Sequence, residues 1–180
     1  LSWINQGTAS ILTGATLGST APYVQTGATA RTLLQGGTLS VPSGARITQG
    51  RLEGDGTING KLELGGEMLP GGAGKIHVLR INGGYSQTAS AIVHVDLERT
   101  PQVKQNDQVV ITGQANFAGV GTLDVKWISP PQPVATDSFA VFTYASPSGK
   151  FKTHKLPPLT PPRSWAPPAY GATALNLKVQ

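Results

Sequence analysis

GDGTINGKLELGGEMLPGGAGKIHVLRINGGYSQT, from Gly54 to Thr88, decides the fold. Glycine-rich corners alternate along it with short apolar–polar runs. Ile58, Leu62 and Leu64 point one way, and Lys61 and Glu63 the other. Leu79 and Ile81 oppose Arg80 in the same manner. Period-two alternation bounded by glycines predicts short, half-buried strands. Corners recurring about every twenty residues predict coils stacked as a solenoid. Gly36, Gly54, Gly56, Gly65 and Gly66 are the candidates for positive φ at those corners, a conformation that costs other residues about 1 kcal/mol or more. Asp55-Gly56 keeps a rival open, because Asp-Gly favours a hairpin and hence an antiparallel sheet.

Outward from this stretch the alternation continues. Upstream, Ile11 and Leu17 flank Gly14, Leu39 and Val41 share a face, and Ile47 and Leu52 precede Ile58. Downstream, Val93, Val95 and Leu97 alternate with His94, Asp96 and Glu98. Val109 and Ile111, then Leu123 and Val125, then Phe139 and Val141 mark further strands, and Leu175, Leu177 and Val179 the last. No 3.6-residue periodicity is sustained, so no amphipathic helix is expected. Strands lengthen after Gly84 in this reading, which divides the chain into coils over 1–83 and a terminal β-rich cap over 84–180. Prolines 130, 131 and 133, and the run from Pro157 to Pro168, belong to surface connections. Leu156, Leu159, Trp165 and Tyr170 are the expected pins of the second connection.

At 180 residues the chain is long enough to bury a core without disulfides or metals. With no cysteine it has no thiol nucleophile and no Cys-ligated metal. Only 13% of residues are charged, against 38% hydrophobic, which argues against a disordered polyelectrolyte. Its 23 glycines lack the three-residue period of collagen. The net charge is +5. Lys150, Lys152 and Lys155 form the densest basic group, read either as guards on a strand edge or as a contact for an anionic polymer. No nucleic-acid signature accompanies it, and no apolar run reaches the length of a membrane span. The start at Leu1 is read as a fragment or a processed product.

The stretch resembles the C-terminal part of bacterial autotransporter-like passenger proteins. Gly54, Gly56, Thr57, Ile58, Asn59 and Gly60 match the opening of their repeat consensus. Leu69, Pro70 and Gly71 match its middle, and Leu79, Ile81, Gly83, Tyr85 and Gln87 its end. Asp107, Val109, Ile111, Gly113, Ala115, Gly119, Leu123 and Val125 match a second segment. The resemblance covers most of the chain, and least clearly residues 1–35. It implies an all-β fold, a right-handed parallel β-helix, at the cell surface or secreted. Such a passenger is followed by a membrane barrel that this sequence does not contain, which leaves a fragment or a relative exported by another route as the expectation.

Candidate chemistry is sparse. Glu53 with Asp55, and Asp96 with Glu98, are each two apart and share a strand face about 7 Å from one another. Paired carboxylates serve glycoside hydrolysis, but solvated polar faces look the same. His94, Asp96 and Glu98 on one straight strand span about 13 Å, too far for a single ion. Asp107 reads as a turn residue bonding its local backbone, and His77 and His154 as histidines without partners. No nucleophile elbow and no phosphate loop is present. Trp3, Trp127, Trp165 and Tyr170 are candidates for a sugar-stacking platform, or for core and cap. The expectation is a non-enzymatic structural or adhesive module with no cofactor, no metal and no catalytic residue. Its partners would be a surface polysaccharide, a host or matrix surface, or copies of itself. A carbohydrate-binding or carbohydrate-processing β-helix and a self-assembling extracellular subunit are the alternatives.

Overall fold

The computed structural model describes residues 1–100 and 103–180. Every regular element among them is a β-strand, and none is a helix. The strands are β1 (Trp3–Asn5), β2 (Thr8–Leu12), β3 (Thr16–Gly18), β4 (Tyr23–Gln25), β5 (Arg31–Ser40), β6 (Ala45–Ile47) and β7 (Arg51–Asn59). Next come β8 (Leu62–Leu64), β9 (Glu67–Pro70), β10 (Val78–Asn82), β11 (Tyr85–Gln87), β12 (Ile92–Arg99), β13 (Lys104–Asn106) and β14 (Gln108–Ile111). The chain ends with β15 (Gln114–Asn116), β16 (Thr122–Trp127), β17 (Ser138–Thr143), β18 (Ser146–Ser148), β19 (Thr153–Lys155), β20 (Ala169–Tyr170) and β21 (Ala174–Lys178).

They form two sheets. The seven-stranded sheet runs β1-β4-β6-β8-β11-β15-β18, and every neighbouring pair in it is parallel. Trp3, Tyr23, Ala45, Leu62, Tyr85, Ala115 and Pro147 therefore stand one above the next. The fourteen-stranded sheet contains two further rows of this kind. Thr32, Leu52, Met68, Val93, Leu123 and His154 make one; Leu17, Leu39, Ile58, Ile81 and Ile111 make the other. Parallel neighbours require a crossover connection between each pair.

Alternation fixes which side faces in. Leu39, Ile58, Ile81, Leu52, Met68, Val93 and Leu123 are all fully buried. Each such side chain stabilises the fold by about 1.5–3 kcal/mol relative to exposure. Two buried glutamines in this core are satisfied, as buried polar groups usually are. Gln25 donates to the carbonyls of Ala30, Gln49 and Arg51 and accepts from Thr32. Gln87 donates to Phe117 O and accepts from the Tyr85 hydroxyl.

The Asp55-Gly56 hairpin is absent. Both residues lie inside β7, which runs parallel to β5. The first half of β7 pairs with β9 and its second half with β10. The glycines allow the bend between the halves. Gly54 has φ +101°, and a Cβ there would sit 1.8 Å from Leu34 O. Gly65 and Gly66 do not adopt positive φ. A Cβ on Gly66 would instead meet Gly50 O at 2.4 Å, so close packing of adjacent backbones requires that glycine.

Nor do strands lengthen after Gly84. The longest are β5, of 10 residues, and β7, of 9. Each continues through a glycine bend and so merges two short strands into one. What changes downstream is the connections and the strand direction. β13 turns back antiparallel on β12, β21 on β17, and β20 on β21. Strands of 84–180 otherwise extend the rows begun by 1–83, β11 on β8 and β14 on β10. The proline segments lie between strands as expected, and Leu156, Trp165 and Tyr170 pack against the core from theirs.

Candidate functional site

The side chains richest in chemistry gather in a groove of about 350 Å³ on the outer face of the larger sheet. Arg51 comes from β7, Glu67 and Leu69 from β9, His94 and Asp96 from β12, and Lys126 and Trp127 from β16. Gly72 to Gly74 and Asp107 close one side. Register assembles it: Arg51 pairs with Glu67, His94 with Asp124, Asp96 with Lys126 and Leu97 with Trp127. Because Val93 and Val95 point inward, His94 and Asp96 must point toward the groove. A second, shallower groove of about 620 Å³ shares Arg51 and Glu67 with it. The floor of that groove is small, with Ala28, Ala30, Gly50, Gly65 and Gly66.

His94 sits between two carboxylates. Its Nδ1 lies 3.1 Å from Asp124 Oδ2, and its Nε2 3.6 Å from Glu67 Oε2. Glu67 also receives the Arg51 Nε–H at 2.9 Å. Two buried nitrogens of the groove lack a hydrogen-bond partner, His94 Nε2 and Trp127 Nε1.

Asp107 is the most perturbed acid. It is 2% exposed, and accepts N–H donors from His77 and from Asp96, each at 2.9 Å. Burial outweighs those donors and pushes its pKa up to about 7, with the Asp96 carboxylate adding to the rise. It was expected to bond its local backbone; its partners are instead 30 and 11 residues away. Asp96 accepts the Gly74 N–H at 2.7 Å, which ties the loop after β9 to β12. Both Asp107 oxygens thus accept from backbone, so it holds strands together.

The carboxylate pairs read from spacing do not face a common space as free pairs. Glu53 is buried against Arg31, whose Nε donates to it at 2.6 Å. Its neighbour Asp55 is half exposed, 4.0 Å from His77 Nδ1. Glu98 accepts from Ser129 Oγ at 2.9 Å while Asp96 serves the loop. Among the described residues, no three His, Asp or Glu side chains are placed to share a metal ion. His154 does have a partner: its Nε2 is 2.8 Å from the Tyr170 hydroxyl. Burial and Lys150 lower the His154 pKa, and burial pushes that of Tyr170 up to about 12.

The four aromatics do not form a platform. Trp3 packs edge-on against Tyr23 at one end of the stack. Trp127 and Trp165 both pack on Phe139, and Tyr170 packs on Phe117. Only Trp127 also reaches the groove. Glu67, Asp124 and Lys126 were not singled out from sequence. Their signal is the register between β9, β12 and β16, which local spacing does not contain. No protein-family model matches the chain, and a search of curated proteins finds no match either.

Proposed function

We propose that the chain is a non-enzymatic attachment module: a right-handed parallel β-helix with a C-terminal cap, carried on a bacterial cell surface or secreted. The observation that supports this most is the register. Three rows of parallel strands stay aligned from Trp3 to Ser148, so outward side chains are held in fixed lines on a rigid body. The resemblance of Gly54–Thr88 to autotransporter-like passengers supports the same reading. Engagement of the groove carboxylates by Arg51, His94 and backbone amides argues against a free acid–base pair. The test is incubation with a panel of polysaccharides and matrix proteins. Retention without release of new reducing or unsaturated chain ends is expected; release of new ends overturns the reading.

A second reading is a carbohydrate-binding groove, favoured by the unpartnered His94 Nε2 and Trp127 Nε1. Both nitrogens lie beneath the groove surface, so sugar hydroxyls would accept from them once the lining side chains shift. Trp127→Phe keeps a ring against Phe139 and removes the N–H. It is expected to weaken glycan binding by about fivefold to tenfold, the value of one hydrogen bond, with no loss of thermal stability. Unchanged affinity would exclude the groove as the binding site.

A further inference from the structure

Charge is divided sharply along the chain. Up to Asp137 nine Lys and Arg side chains meet nine carboxylates. From Ser138 onward there are five cations and no carboxylate, so these residues carry the whole net charge of +5. The five are Lys150, Lys152, Lys155, Arg163 and Lys178. Lys155 lies on the edge strand β19 and Lys178 on β21, while Lys150, Lys152 and Arg163 lie in the connections between these last strands.

Pairing follows the division in part, with five of the nine upstream cations paired. Arg31, Arg46, Arg51, Arg99 and Lys104 each have a carboxylate within 4.0 Å. Among the described residues, no carboxylate lies that close to any of the five terminal cations. Asp124, opposite Lys155 in the register, is committed to His94. Lys155 is exposed at the end of β19, Lys150 and Lys152 are exposed in the segment that leads into it, and Lys126 is exposed on the adjoining β16. Guarding an edge strand needs a lysine or two on that strand. It does not require the loss of every carboxylate from a whole end layer.

We infer that this end, centred on Lys150, Lys152 and Lys155, is a docking surface for an acidic polysaccharide. Exposed ammonium groups with no carboxylate partner, grouped at and just before an edge strand, with Lys150 over the Tyr170 ring, match a linear polymer with carboxylates or sulfates repeated along it. A membrane surface fits less well. Among the described residues the exposed large apolar ones are Leu1, Ile4, Leu12, Val103 and Val134, and none lies beyond Asp137. An interfacial binder carries apolar anchors beside its cations. Single-stranded nucleic acid wants exposed aromatic faces, whereas Trp165 and Tyr170 pack against the core.

The inference deepens the attachment reading and names its partner. It is tested on the full chain by binding to heparin and polygalacturonate, with dextran as neutral control, at low and high salt. Binding to either acidic glycan that weakens with salt is expected. Lys150→Gln/Lys152→Gln/Lys155→Gln should weaken it by about tenfold or more, with the thermal midpoint retained. Lys61→Gln/Lys75→Gln/Arg80→Gln removes the same charge elsewhere and should change it by less than about twofold. No binding to either glycan, or equal losses in the two triple variants, overturns the inference. So does tighter binding to phosphatidylserine vesicles or to a single-stranded DNA oligonucleotide. Failure here is distinct from failure of the non-catalytic reading, which rests on release of new chain ends.

Discussion

Asp107 condenses the chemistry of the fold into one residue. It is buried, it joins β12 to the segment before β10, and its pKa is raised from 3.8 to about 7. An acid raised by folding contributes stability that is fully present below its unfolded pKa. That stability is lost as pH climbs through the folded value. The window here runs from about pH 4 to about pH 7. In Asp107→Asn this titration is gone and one backbone N–H loses its acceptor, at a cost of about 1–3 kcal/mol. The gap in thermal midpoint between the protein and this variant is therefore expected to narrow from pH 5 to pH 8. A gap that widens would mean that the two N–H donors dominate over burial and hold the carboxylate charged.

At the scale of elements, one aromatic side chain ties several of the C-terminal strands together. Phe117 is fully buried, with ring centroids of Phe151 at 5.0 Å, Phe142 at 5.4 Å and Tyr170 at 5.6 Å. It joins the turn after β15 to β17, β20 and the approach to β19. Phe117→Ala is expected to cost about 3–5 kcal/mol. Proteolysis should then begin in the proline segment 156–168, because Tyr170, which follows it, packs on Phe117. Cleavage that began elsewhere, or a cost below about 1 kcal/mol, would show that the C-terminal strands are held independently.

The sequence was most informative about single strands. Leu79 and Ile81, Val93 and Val95, and Leu175 and Leu177 are buried as their alternation required, because a pleated strand has a period of two. It was least informative about partners. Whether Asp55-Gly56 turns or continues depends on β5, a strand some twenty residues earlier in the chain. The groove was invisible for the same reason. Arg51, Glu67, His94 and Trp127 meet only through long-range register, while the local spacings of Glu53 with Asp55 and Asp96 with Glu98 suggested pairs that other contacts had already claimed.

On the scale of the whole molecule, every functional statement depends on one proposition: the rows are stacked levels of a single β-helix. Alignment places Val24, Arg46, Glu63, Ser86, Asn116 and Ser148 in one column. Neighbouring strands are about 4.8 Å apart, so five intervals separate the first and last by about 24 Å. The chain has no cysteine, so Val24→Cys/Ser148→Cys supplies the only two attachment points for spin labels. The decisive measurement is the electron–electron distance between them. The account predicts a narrow distribution centred near 24 Å, after allowance for the label linkers. A broad distribution, or a mean far outside that allowance, would contradict the stack, and with it the scaffold on which the groove and the cationic end are built.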